Sequence, residues 1–133
     1  AIYNLGFDAG LREIRRFVRP GGYVAVSEAV WLKPDPPAKA VDFWRDYPEF
    51  DTVAAKLEVI KRIGYEVLGH FIFPASAWTD QYYDPMENRI AEKEKDWSGI
   101  PEAEAVLREA RNEISVFRHH SDYFSYAFFV MRS

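Results

Sequence analysis

The chain has 133 residues, no cysteine and a net charge of −4, from 17 Lys plus Arg against 21 Asp plus Glu. At 48% hydrophobic and 17% aromatic it carries enough apolar surface to offset chain entropy, which excludes general disorder. The missing cysteine removes disulfides, thiolate chemistry and Cys-ligated zinc, and the mild acidity argues against nucleic acid as a partner.

In the first helix Asp8 is the expected N-cap. Leu11, Ile14, Phe17 and Val18 form its apolar stripe, Arg12, Arg15, Arg16 and Arg19 its solvated face, and Pro20-Gly21-Gly22 its stop. Tyr23 to Trp31 is a nearly continuous β-prone run, read as an interior strand of a helix-flanked sheet. Lys33-Pro34-Asp35-Pro36-Pro37 is a stiff connection, after which Ala40, Val41, Phe43, Trp44 and Tyr47 suggest a short helix ended by Pro48. Asp51 or Thr52 caps the next helix, whose stripe is Val53, Leu57, Ile60 and Ile63 and whose stop is Gly64. A second strand follows over 65–73.

Residues 75–97 read as a short segment, a turn at Asp84-Pro85 and a polar helix running to Trp97. Pro101 starts a long helix with Val106, Leu107, Ala110, Ile114 and Phe117 inward, ending at His119-His120. The aromatic run 123–132 is a third, central strand. Helices and strands alternate, so the class is α/β, although three strands make a thin sheet for so many helices. No apolar run approaches the roughly 18–20 residues of a membrane-spanning helix, so no membrane partner is expected and a cytoplasmic location is.

The common catalytic signatures are missing: the sequence has no Walker A loop, GxGxxG, G-x-S-x-G or H-E-x-x-H. His119 and His120, adjacent on a helix, point about 100° apart, so no metal site is expected of them. His70, on the second strand, reads as a hydrogen-bonded histidine in or near the core. Glu28 falls near the carboxyl end of the first strand, where open α/β sheets place ligands; the competing reading is a surface or capping carboxylate. Trp31, Trp44, Tyr47, Trp78, Tyr82 and Tyr83 offer either a pocket for a flat or cationic ligand or ordinary core packing.

Ala1-Ile2-Tyr3-Asn4-Leu5-Gly6-Phe7, then Gly10-Leu11-Arg12-Glu13, then Arg19-Pro20-Gly21-Gly22-Tyr23-Val24-Ala25-Val26-Ser27-Glu28, resemble the second half of class I S-adenosylmethionine-dependent methyltransferases. Val18-Arg19-Pro20-Gly21-Gly22 is similar to that family's turn into its fifth strand, and Lys61-Arg62-Ile63-Gly64-Tyr65-Glu66-Val67 to the entry to its sixth. The resemblance implies the C-terminal part of a Rossmann-like sheet, with strands at about 23–31, 65–73 and 123–132 and the last antiparallel between the other two. The family's glycine-rich loop and ribose-holding acidic residue have no counterpart here. It therefore implies that residues 1–133 are the C-terminal portion of one methyltransferase domain, with 33–50 and 75–97 as covers over the acceptor.

By the same resemblance Ala1 and Ile2 pass beside the cofactor, and Tyr3 and Asn4 face the transferred methyl. Phe7, Glu28, Trp31, Trp44, Tyr82 and Tyr83 are the expected acceptor-binding residues. The implied activity of the full-length enzyme is methyl transfer from S-adenosylmethionine to a small molecule. Weak or absent cofactor binding is expected of this portion alone, and self-association through the exposed sheet edge at 23–30. The competing class is a non-enzymatic α/β binding or dimerisation module.

Overall fold

The computed structural model describes residues 2–133, without the side chain of Tyr3. A single turn of 3₁₀ helix at Ile2–Asn4 leads into helix α1, Phe7–Arg15. Gly6, at φ +83°, precedes it, and the cap comes from far along the chain. The Glu49 carboxylate accepts from Phe7 N–H at 2.6 Å and Asp8 N–H at 3.2 Å. The expected N-cap, Asp8, instead lies in the first turn and accepts from Arg12 at 2.6 Å and Arg62 at 2.9 Å. A remote carboxylate satisfies the helix start as well as a local one, which frees Asp8 for the arginines.

Because α1 ends at Arg15, Phe17 leaves the helical register and is 81% exposed rather than part of the inner stripe. Arg15 stays exposed with the rest of the arginine face, yet its guanidinium donates to the Ile63 carbonyl and lies 5.5 Å from the Tyr65 ring centroid. The turn after α1 is pinned by the chain's other end. Gly21 N–H donates to Ser133 O at 2.9 Å, and Ser133 N–H to Gly22 O at 2.8 Å.

Strand β1 spans Tyr23–Trp31, followed by α2 at Ala38–Phe43, a two-residue strand β2 at Asp51–Thr52, and α3 at Val53–Ile63. β3 is Glu66–Ile72, and α4, Ala75–Trp78, widens into a π-helical turn, Thr79–Tyr83, before α5, Asp84–Asp96. α6 is Pro101–His120 and β4 is Phe124–Arg132. The sheet order is β2-β1-β4-β3. β4 runs antiparallel to both neighbours, from Tyr23↔Arg132 to Trp31↔Phe124 on one side and from Glu66↔Arg132 to Ile72↔Ala127 on the other. This is the expected arrangement of three strands. The fourth strand is new: β2 lies parallel to β1 only at Val30 and Trp31, so the β1 edge over 23–29 has no strand beside it among the described residues.

The alternation along β4 turns Ala127, Phe129 and Met131 into one core with Phe7, Leu11, Val30 and Ile60, beneath α1 and α3. A second core gathers Tyr83, Ile90, Leu107, Ile114 and Phe117 around Phe124. Val106, expected inward, is exposed because Leu107 takes the buried position on that turn. His70 is exposed, its ring 6.1 Å from that of Phe129, and so lies outside the core. No helix among the described residues is long and apolar enough to cross a membrane.

Both ends of α3 carry their signals in the sequence. Thr52 accepts from Ala55 N–H at 3.2 Å, and Gly64 closes the helix at φ +105°, where an added Cβ would meet the Arg15 guanidinium. Thr52→Ala is expected to cost about 1 kcal/mol. Gly64→Ala combines left-handed strain with displacement of Arg15 and is expected to cost more than about 1 kcal/mol. Urea denaturation of the two variants checks both values; an unchanged midpoint for Gly64→Ala contradicts the assignment.

Candidate functional site

A cavity of about 740 Å³ opens where the carboxyl ends of β1 and β3 meet the start of β4. Its floor is Ser27, Glu28 and Ala29 of β1 with Phe73, Phe124 and Tyr126. Phe43, Trp44, Asp46 and Tyr47, from α2 and the loop after it, form one wall. Trp78, Tyr82 and Tyr83 form a second, and Glu113 and Phe117 of α6 close a third. The π-helical turn lets the consecutive Tyr82 and Tyr83 both reach the cavity.

Glu28 is the pivot of the site. It is 1% exposed, and its carboxylate lies 2.9 Å from the ammonium of Lys56, itself 3% exposed. The Tyr47 hydroxyl donates to the same Glu28 oxygen at 2.6 Å. Lys56 also donates to the backbone carbonyl of Glu49 and sits 4.8 Å from the Phe7 ring centroid. Burial raises the Glu28 pKa above the ordinary value of 4.5 by more than the hydrogen bonds from Tyr47 and Lys56 lower it. Burial, then the neighbouring Glu28, pushes the Tyr47 phenol well up; burial and Glu113 do the same to Tyr83. Both phenols are therefore neutral donors at ordinary pH, and both are engaged: Tyr83 O–H donates to Glu113 at 3.2 Å.

The aromatic walls are braced among themselves. The Trp78 ring lies 4.7 Å from that of Tyr126, tilted by 38°, and its indole N–H donates to Ser125 Oγ at 3.1 Å. Tyr83 lies 4.6 Å from Phe117, and Trp44 4.5 Å from Phe50. Trp44's indole N–H is buried and has no acceptor among the described residues.

No protein-family model matches the sequence, and no curated protein matches it. Solved structures do. A S-adenosylmethionine-dependent methyltransferase from Geobacter sulfurreducens, in complex with S-adenosyl-L-homocysteine, superposes with a TM-score of 0.67 at 16% identity, over 93% of this chain and 51% of that one. Phosphoethanolamine N-methyltransferase 2 of Haemonchus contortus, with S-adenosyl-L-methionine, gives 0.69 at 13% identity over 95% and 29%. The [4+2]-cyclase SpnF gives 0.64 at 18% identity over 100% and 46%. The chain has the methyltransferase fold. It spans about half the length of the first and third of these structures and less than a third of the second. A cyclase on the same fold means that the fold alone does not set the reaction.

Within this methyltransferase fold the expected site residues fall into three groups. Glu28, Trp44, Tyr82 and Tyr83 converge on the cavity, with Tyr47 and Trp78 of the same aromatic set. Trp31 and Phe7 stand behind it: Trp31 packs 4.4 Å from Phe50, and Phe7 is fully buried 5.9 Å from Phe129. Asn4 is exposed and does not line the cavity, and Ile2 turns its side chain into the core against Gly10. The roles expected of Ala1 and of the Tyr3 side chain lie outside the described residues.

The sequence reading missed Lys56, Glu49, Asp46 and Glu113. Lys56 had a signal, being a lysine at an apolar-stripe position three residues after Val53 and four before Ile60. The other three are brought in by tertiary packing alone.

Lys56→Met leaves the Glu28 carboxylate buried without a counter-charge and is expected to cost about 3–5 kcal/mol, most of it recovered when Glu28→Gln is added. The native state holds the Glu28 proton more tightly than the unfolded chain does. Its contribution to stability is therefore fully present below pH 4.5 and is lost as pH rises through the raised value. Glu28→Gln is expected to remove that decline from a curve of unfolding free energy against pH; an unchanged curve contradicts the assignment.

Proposed function

We propose that the chain forms the acceptor side of an enzyme that transfers a methyl group from S-adenosylmethionine to a small molecule held in the aromatic cavity. The carrying observation is the cavity's position: in a methyltransferase fold, it opens at the carboxyl ends of the parallel strands, where open α/β sheets bind ligands. When bound, the sulfonium cofactor supplies an activated methyl. The residues of this chain enclose the acceptor, exclude water from it and hold its reacting atom in line. Glu28 does this from the floor, Trp44, Tyr47 and Tyr83 from the walls.

The residues present do not by themselves fit the cofactor. The sequence holds no glycine-rich loop, and Ile2 offers the cofactor side only its main chain, since its side chain packs into the core. We therefore place the groups that hold the cofactor outside these 133 residues, and derive no step through them. The sheet supports this division. Beneath α1 and α3 it is covered, whereas Tyr23, Ala25 and Phe71 remain exposed to receive further structure. The open β1 edge over 23–29 makes self-association of the isolated chain the expected outcome, read by sedimentation equilibrium.

Calorimetry with S-adenosylmethionine is expected to show little or no binding to these 133 residues. Joined to a glycine-rich cofactor half, the protein is expected to bind it and to pass a labelled methyl to a component of a filtered small-molecule extract. Trp44→Ala should lower that transfer about tenfold or more while leaving cofactor affinity unchanged. Tight cofactor binding by the 133 residues, or no labelled product from the joined protein, overturns the proposal.

A further inference from the structure

We infer that the cavity takes its ligand as an organic cation, an amine or ammonium compound; the inference rests on the reading of this cavity as the acceptor site. Three independent features of the wall agree on the sign of the charge.

The first is the surface itself. Trp44, Tyr47, Trp78 and Phe124 line the space, and an aromatic face is the negative end of a quadrupole that attracts a cation. The second is the charge on the wall. Asp46 and Glu113 both line the cavity, and neither has a cationic partner among the described residues. Glu28, the third carboxylate, already has Lys56. Among the described residues none of those lining the cavity is Lys, Arg or His, so an anionic ligand meets only like charge.

The third feature is the direction of the hydrogen bonds. Tyr47 O–H is spent on Glu28, Tyr83 O–H on Glu113, and Trp78 N–H on Ser125. With their protons spent, the two tyrosine oxygens can only accept from whatever enters, whereas Trp78 offers no acceptor and the buried Trp44 N–H stays a donor without an acceptor among the described residues. A ligand that donates and carries positive charge matches all three features. A neutral flat ligand would use the rings and leave Asp46 and Glu113 without a cationic counterpart.

The chemistry of transfer is compatible with such an acceptor. The ammonium first gives a proton to solvent through the cavity mouth. The nitrogen lone pair so freed would be the acceptor of the methyl that the cofactor, held by groups outside these 133 residues, would supply. A more substituted nitrogen that is again cationic still suits an aromatic enclosure.

The test is a tryptophan-fluorescence titration with three probes of one shape: choline, its neutral isostere with a quaternary carbon in place of nitrogen, and the corresponding carboxylate. Choline is expected to bind about tenfold or more tightly than the neutral isostere, and the carboxylate more weakly still. The choline affinity should fall with added salt, a readout that needs no variant. Asp46→Asn with Glu113→Gln should lower the choline affinity several-fold, narrowing but not closing its lead over the isostere, which the aromatic faces maintain. Equal affinity for choline and isostere, preference for the carboxylate, or no binding of choline overturns the inference.

A methyl-transfer assay on the joined protein separates this failure from that of the underlying reading. Label found on a neutral or anionic acceptor sinks the cation inference and keeps the transferase. Choline binding without transfer to any acceptor keeps the cation site and sinks the transferase.

Discussion

The buried pair of Glu28 and Lys56 is the constraint from which most of this architecture follows. A carboxylate removed from water in the middle of a strand is tolerated only with a partner of opposite charge and further hydrogen bonds. Supplying them draws in Lys56 from α3 and Tyr47 from the loop after α2. Lys56 in turn fixes the Glu49 backbone, and the Glu49 carboxylate caps α1. Strand, two helices and a loop therefore converge on one charge pair. Buried pairs of this kind are weak sources of net stability, so specificity of arrangement is the better account of its presence.

That arrangement decides what the cavity is. With Tyr47 tied to Glu28, one wall is held in place, and Lys56 and Glu28 offset each other's charge behind the cavity. What remains for a ligand is a set of aromatic faces and two carboxylates. The strand topology sets the position: because β4 enters antiparallel between β1 and β3, the start of β4 meets the carboxyl ends of its neighbours, and Phe124 and Tyr126 join the floor. The same fold in a cyclase shows how far these walls, rather than the sheet, must carry the specificity.

Much of this was legible in the residues. The strands expected at 23–31, 65–73 and 123–132 stand at Tyr23–Trp31, Glu66–Ile72 and Phe124–Arg132, because long β-prone runs bounded by glycine and proline leave little choice. β2 was illegible, since Asp51–Thr52 has no apolar pattern and pairs only by lying beside β1. Trp44, Tyr82 and Tyr83 were legible as candidates because large aromatics cluster around cavities as well as cores. Trp31 and Phe7 carry the same signal and belong to the packing behind the wall. Asp46 and Glu113 had none, for an acidic residue on a loop or beside a helix stripe gives no hint of facing a cavity until the chain has folded.

The most direct measurement is a crystal structure of the chain joined to a glycine-rich cofactor half, with S-adenosyl-L-homocysteine bound. The sulfur of the ligand is expected to open onto the space between Glu28, Trp44 and Tyr83, with the adenosine held by residues outside this chain. A sulfur on the far side of the sheet, walled off from that space, would contradict the assignment of the cavity as the acceptor site.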